Sequence, residues 1–232
     1  MLNLILAESA LEIIPESLWT HPSVSKRANK LNKKPGQMLL DRSLHHRAML
    51  KLENSKKRGR PDIVHFSLLE ALGSPLNREN LLRTYVVTWD NYIISLNPNI
   101  RLPKNYDRFK GLIEQLYERG KIVKHGKILM ELRTGTLQNL IQKIKPSYTI
   151  AFTRKGKPLL LHLVMSTLVA KENPTVIVGG FPRGHFTGEI MNVSNELVSI
   201  DPETLEAWTV VSRMIYEYET VIRLTKKRFD RI

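Results

Sequence analysis

Val176, Ile177 and Val178 run without a break into the segment Gly179-Gly180-Phe181-Pro182-Arg183-Gly184. Of all stretches in the chain, this one most restricts the fold. A short β-branched run fits a strand covered on both faces, and the glycines let backbone pass close to whatever lies beyond the strand end. A second such run, Val198-Ser199-Ile200, is followed by Asp201-Pro202-Glu203 and an apolar, helix-like segment. Loops of this kind can hold a nucleoside through backbone amides and carbonyls. Glycine spacing alone is equally compatible with a tight turn that holds nothing. If a ligand does sit there, a side chain placed at Gly179 is expected to occupy its volume.

The common nucleotide signatures are absent. No G-x-x-x-x-G-K-[ST] occurs, and no G-x-G-x-x-G follows the first strand-like segment, Leu2 to Leu6. A P-loop enzyme and a dinucleotide-binding dehydrogenase are therefore disfavoured.

The electrostatic balance narrows the partners. Lys and Arg number 36 against 22 Asp and Glu, a formal net charge of +14 in 232 residues. That excess suggests a polyanion, with nucleic acid a better match than a membrane. The most apolar helix candidate, Leu159 to Ala170, contains His162 and is too short to span a bilayer. The N-terminus lacks a basic leader with a small-residue cleavage site, so the expected location is cytoplasmic. There is no cysteine, which excludes disulfides, thiolate metal sites and thiol nucleophiles. The histidines are scattered, with only His45 and His46 adjacent, and form no pattern of metal ligands.

Strand and helix signals alternate, which predicts an α/β architecture with a mostly parallel sheet, organised as one domain over 1–232 with insertions around 36–60 and 80–110. Residues 21–33 are polar and basic, and a helix is expected around His45 to Leu50. The basic run Lys56 to Arg60 leads into a helix beginning at Pro61 and Asp62, where a proline and an acidic residue suit the first turn. Arg83 to Trp89 and Tyr92 to Leu96 flank the turn pair Asp90-Asn91 as a hairpin. Phe109, Leu112, Ile113 and Leu116 share one helical face. Strands are expected at Leu129–Leu132, Tyr148–Phe152, Val176–Val178 and Leu197–Ile200, and helices at Leu137–Ile144 and Leu159–Ala170. The latter is apolar nearly all round, so burial is expected. A last helix over Glu203–Tyr218 presents a wide apolar face containing Trp208 and Ile215. The basic tail around Lys226 to Arg231 is either solvated or touches RNA.

Four motifs in order, Gly59 to His65, Ile100 to Leu112, Val178 to Gly184 and Leu205 to Arg213, make the chain closely similar to the ribosome-biogenesis family of pseudouridine-N1-specific methyltransferases, a branch of the SPOUT superfamily. The resemblance runs from about Leu2 to Tyr218. It implies an α/β fold with a C-terminal trefoil knot, an obligate homodimer, S-adenosylmethionine as methyl donor and no metal. Periodicity alone would favour an unknotted sheet. Positions matching the family's cofactor loops are Ile150, Gly179, Gly184, His185, Phe186, Ile200, Asp201, Pro202, Glu203, Thr204 and Leu205. Arg60, Arg101, Lys104 and Arg108 match its contacts to small-subunit ribosomal RNA, and Asp62 matches the carboxylate that holds the first arginine. Lys104 stands where the family usually has arginine, which keeps the charge and loses the planar fork.

The implied reaction is methylation of N1 of a pseudouridine in a small-subunit rRNA hairpin loop, in the service of ribosome biogenesis. Arg60 and Asp62 are the candidate catalytic residues. A guanidinium favours the N1 anion, whereas pairing with Arg60 makes Asp62 a poor proton acceptor. The alternatives are a noncatalytic rRNA-binding assembly factor and a SPOUT methyltransferase acting on tRNA. The dimer is expected to use the Trp208 and Ile215 face and to join the basic surfaces of both chains.

Overall fold

The computed structural model describes residues 1–231. Its strands are β1 (Leu2–Ser9), β2 (Leu82–Thr88), β3 (Tyr92–Leu96), β4 (Lys121–Lys124), β5 (Lys127–Thr134), β6 (Thr149–Pro158), β7 (Thr175–Gly179) and β8 (Glu196–Ser199). The helices are α1 (Pro22–Leu31), α2 (Arg42–Met49), α3 (Pro61–Gly73), α4 (Pro75–Arg78), α5 (Tyr106–Arg119), α6 (Leu137–Ile144), α7 (Leu161–Val169), α8 (Gly188–Val193), α9 (Ala207–Val221) and α10 (Leu224–Phe229).

The strands form one 8-stranded sheet in the order β4-β5-β3-β2-β1-β7-β6-β8. Neighbours from β2 to β8 in that order are parallel, and β3, β5 and β4 extend the sheet antiparallel. The sheet is thus mixed, with its parallel half holding the two strand runs that the sequence marks most clearly. Alternation along β1 explains why that half is apolar throughout. Leu2, Leu4 and Leu6 join one core cluster with Val176, Val178, Ile150 and Phe152, whereas Ile5 and Ala7 join a second with Ile177 and Ala151. Helices α3, α7 and α9 cover the first face, and α6 with α8 the second. Both faces being covered there, the central positions of these strands meet apolar neighbours on either side.

Several expectations change in three dimensions. Residues 82–88, set within the 80–110 segment, form β2, a central strand beside β1. The polar stretch after His21 becomes α1 because Pro22 opens it, the His21 ring accepts from the Ser23 amide at 3.2 Å, and Val24 and Ala28 suffice to bury one face. Helix α7 is not buried all round. Val164, Met165 and Leu168 face the core, while Leu163 is 52% exposed and Leu160, just before the helix, is 65% exposed. The last long helix starts at Ala207 rather than Glu203, and Ile215 is only 3% exposed. The tail folds as α10 and brings Arg228 and Arg231 to Glu79 at 3.2 and 2.7 Å.

The tightest feature is at the end of β6. Phe152 and Lys157 both align with Val198 of β8, so residues 153–156 make an excursion around a single position of the neighbouring strand. Gly156 sits against that strand's backbone, and a Cβ there would lie 2.5 Å from the Leu197 carbonyl carbon and 2.6 Å from that of Val198. Backbone on a covered strand cannot step aside as a side chain can. Gly156→Ala is therefore expected to destabilise the protein by about 3 kcal/mol or more. An unchanged denaturation midpoint would show that the two strands are not held in this contact.

Candidate functional site

Strands β6, β7 and β8 are parallel, and residues 152–154 of β6 with the loops that follow β7 and β8 enclose a cavity of about 400 Å³. This lies within the range of about 300–1,000 Å³ common for small-molecule sites, and at the carboxyl ends of strands where open α/β sheets place ligands. Phe152, Val178, Val198, Ile63 and Val210 make its apolar wall, and Arg154, Arg183, Asp201, Glu203 and Glu206 bring charge to it.

The loops are held by their own backbone. Gly180 donates to the Ala7 carbonyl and accepts from the Ala10 amide, both at 2.8 Å, which pins the glycine loop to the end of β1. A Cβ on Gly180 would lie 2.9 Å from Ser9 Cβ and 3.0 Å from its Cα, so the strand end leaves no room for one. Gly184 has φ +104°, a conformation that side chains disfavour. In the third loop the Ser199 hydroxyl donates to the Asp201 carbonyl at 2.8 Å, and the Asp201 carboxylate accepts from the Glu203 amide at 2.9 Å. Gly179 differs from the expectation drawn from sequence, because a Cβ there first meets the Phe181 ring, 2.8 Å away, rather than open cavity.

Most of the positions singled out for a cofactor come together here. Gly179, Gly184, His185, Phe186, Ile200, Asp201, Glu203, Thr204 and Leu205 line the cavity. Pro202 belongs to the same loop but is exposed and outside the wall. Ile150 is placed elsewhere. It is buried in the middle of β6 and aligned with Val176 and Glu196, and Phe152, two residues on, is the strand residue that reaches the cavity. Thr153, Arg154, Phe181, Arg183 and Glu206 also line it, beyond the positions matched to the family's cofactor loops. Arg183 belongs to the glycine loop itself, and Thr153 and Arg154 lie in β6 just past its pairing with β7.

The positive surface begins at the same wall. Ile63 lines the cavity from the first turn of α3, and Arg60 caps that helix. The Arg60 guanidinium makes a two-pronged contact with Asp62, Nε to Oδ1 at 2.8 Å and Nη2 to Oδ2 at 2.7 Å. That hydrogen bonding to Asp62 raises the Arg60 pKa above its ordinary value. Arg42 has a lowered pKa, through partial burial first and then the positive fields of Arg183 and Arg60. No salt bridge engages Arg42 or Arg183 among the described residues. Guanidinium groups without a paired carboxylate, Arg42 and Arg183 here, make a place where an anion is favoured.

Arg101, Lys104 and Arg108 are all exposed, and the interior contacts of their segment show why. Tyr106 donates to Asp41 at 2.9 Å and Lys110 pairs with the same carboxylate at 3.1 Å. Burial alone would raise the Asp41 pKa, but hydrogen bonds from Ser43, Lys110 and Tyr106 outweigh it and hold the group below its usual value. His65 Nε2 meets the Pro103 carbonyl at 2.7 Å and its ring stacks on Phe109 at 4.2 Å. Tyr106, Lys110 and Phe109 thus anchor the segment inward and leave the three cations facing out. No group of three or more His, Asp or Glu side chains that could hold a metal occurs among the described residues.

The pinning of the glycine loop can be tested directly. Gly180→Ala should lower the unfolding free energy by about 2 kcal/mol, and adding Ser9→Gly, which removes the opposing side-chain atoms, should recover part of it. Equal midpoints for the single and double variants would contradict the close approach of Gly180 to Ser9.

Comparison with known proteins fits this architecture. The model of the EMG1/NEP1 methyltransferase family matches residues 4–219. A Staphylothermus marinus protein named ribosomal RNA small subunit methyltransferase Nep1 is 43% identical over 215 residues, covering 92% of this chain and 93% of that one. The Pyrococcus furiosus protein of the same name is 42% identical over 218 residues, covering 94% and 96%. A crystal structure of Archaeoglobus fulgidus Nep1 bound to S-adenosylhomocysteine superposes with a TM-score of 0.85 at 35% identity, covering 95% of this chain and 98% of that one. With a family match spanning the sheet, the cavity loops and the basic segment alike, this chain belongs to the EMG1/NEP1 methyltransferase family.

Proposed function

We propose that this protein is an S-adenosylmethionine-dependent methyltransferase acting on N1 of a pseudouridine in a small-subunit ribosomal RNA loop, and that it serves ribosome biogenesis. One observation supports this above the others: the cavity at the ends of β6, β7 and β8 shares Ile63 with the first turn of the helix that Arg60 caps, so a small-molecule pocket and an anion-favouring surface meet at one wall. The names of the relatives supply the substrate class, and the S-adenosylhomocysteine held by the Archaeoglobus protein supplies the ligand class.

The residues present suit such a donor. Phe152, Val178, Val198 and Val210 offer an apolar bed for an adenine ring, and Asp201, Glu203 and Glu206 offer acceptors for hydroxyl and ammonium groups and a negative field for a sulfonium. When bound, S-adenosylmethionine supplies an electrophilic methyl group. The protein's part is to present N1 in line with it and to favour loss of the N1 proton to solvent water, the donor leaving as S-adenosylhomocysteine. Arg60, with Arg42 and Arg183 nearby, stabilises the N1 anion, and Asp62 holds the Arg60 fork in place rather than acting as base, since both its oxygens accept from that guanidinium. Arg101, Lys104 and Arg108 hold phosphates of the flanking strand, offsetting the roughly few kcal/mol needed to unstack the base.

A homodimer is part of the same proposal, with a change in the surface that forms it. Ile215 is committed to its own core, whereas Leu160, Leu163 and Phe66, 44% exposed and edge-on to Trp208 at 5.3 Å, remain available. A C-terminal trefoil knot belongs to the same proposal. No helix among the described residues is long and apolar enough to cross a membrane. An rRNA substrate suggests the cytoplasm as the place of work.

Mass spectrometry of two hairpin RNAs, with uridine or pseudouridine at the same loop position, tests the reading after incubation with protein and donor. Methyl should appear on the pseudouridine RNA alone. Binding without transfer would favour an assembly factor, and transfer to both would remove the pseudouridine requirement. Changing Arg101 or Arg108 to Ala should reduce the slope of log affinity against log salt by about one for each phosphate left without its cation, with cofactor affinity little changed. Sedimentation should report about twice the 26.8 kDa chain mass, and Leu163→Glu should yield monomer. A wild-type monomer active on pseudouridine would overturn the dimer.

A further inference from the structure

The basic run before α3 divides its work. Lys56 is exposed, but Lys57 and Arg58 turn inward, pairing with Glu8 at 2.6 Å and Glu12 at 2.5 Å. Glu8 occupies an unusual position. It has φ +48°, rare for a residue with a side chain, and lies where the register of β1 with β2 shifts between Leu6 and Ser9. This conformation accompanies a carboxylate with two partners. One oxygen receives the Lys57 ammonium, and the other accepts from the Thr187 amide at 2.7 Å. Lys57 also donates to the His185 carbonyl and lies 4.5 Å from the centre of the Phe181 ring. Both charges are largely withdrawn from solvent, with side-chain exposures of 15% for Lys57 and 10% for Glu8, so the pair is screened less than a surface ion pair.

We propose that Lys57 and Glu8 form a latch that positions the cavity loop over residues 181–187. They are positioning residues for the donor, and they couple its affinity to the basic segment that ends at Arg60. The two side chains grip the loop at Phe181, His185 and Thr187, and Phe181 and His185 line the cavity. Gly180 fixes where the loop begins, and the latch fixes its far side. Arg60 lies three residues beyond Lys57 and its amide donates to the Ala10 carbonyl at 3.2 Å, so the start of the RNA-facing helix and the donor loop are both tied to the end of β1. Tightening of the basic segment on RNA therefore favours the loop conformation that receives the donor, and the reverse must hold with equal strength.

The latch rests on the reading that the cavity takes S-adenosylmethionine, and one set of measurements separates the two. S-adenosylhomocysteine is titrated calorimetrically into the wild type, Lys57→Met, Glu8→Gln and the double variant, with folding checked by circular dichroism. Each single change should weaken binding by about fivefold or more, and the double variant should be no worse than the weaker single, because either change opens the same latch. The donor KM should rise more than kcat falls. The salt slope for RNA binding should stay as in wild type, since Lys57 is engaged with Glu8. Affinity within about twofold of wild type in a folded single variant, additive losses, or a slope reduced by about one in Lys57→Met would overturn the latch. Should one variant fail to fold, the other acts from the opposite end of the pair and decides. A wild-type protein that does not bind S-adenosylhomocysteine would overturn the reading of the cavity itself, whereas binding shared equally by all four proteins would overturn the latch alone.

Discussion

The close approach of two backbones at the end of β6 sets the geometry of the site. Because Phe152 and Lys157 both align with Val198, the pairing of β6 with β8 breaks between them while the strand runs on to Pro158, and glycine at position 156 leaves room for the β8 backbone. That break places Thr153 and Arg154 on one side of the cavity and keeps Val198 in its wall. The glycine loop is fixed by the same kind of contact, Gly180 against Ser9, and the third loop by the Ser199 and Asp201 hydrogen bonds. The cavity is therefore shaped by main chain at fixed distances, which is how a pocket stays formed without a ligand to organise it.

Charge is sorted by a second rule. A net charge of +14 suggests uniform attraction to a polyanion, yet several of these cations are engaged inside the protein. Arg58 neutralises Glu12, whose carboxyl burial pushes its pKa up, and Lys110 neutralises Asp41. Among the cations that stay outward, Arg101, Lys104 and Arg108 lie on a segment whose aromatic and histidine contacts turn it toward solvent. Arg42, Arg60 and Arg183 then form a smaller group beside the cavity, with Asp62 paired to Arg60 and the Glu206 charge acting on it as well. In the proposed function, affinity for RNA and placement of the reacting base thus fall to different cations.

Much of this is legible in the residues. Val176 to Val178 mark a buried strand because β-branched residues tolerate apolar neighbours on both faces, Asp90-Asn91 marks the hairpin because Asn91 accepts φ +62°, and Pro61 marks the start of a helix. Other features need tertiary information. Strand β6 continues through Arg154 to Pro158, a stretch without apolar alternation, because its partner is β8 rather than a core. Periodicity finds the apolar stripe of α9 but not which neighbour covers it, so it points Ile215 toward an interface when that residue belongs to the core. The same limit hides the exposed side of α7. Arg42 is invisible as a site residue in sequence because it lies far from the cavity loops along the chain and reaches Arg183 only through the fold.

If three strand-end loops bind the methyl donor beside the basic wall, they should respond to it together. Hydrogen–deuterium exchange with and without saturating S-adenosylhomocysteine reads this segment by segment. Exchange should slow in residues 153–156, 179–187 and 199–206, with the outer strands β4 and β5 unchanged. Saturation that leaves those loops unprotected, or protects a different surface, would place the donor elsewhere and contradict the site described.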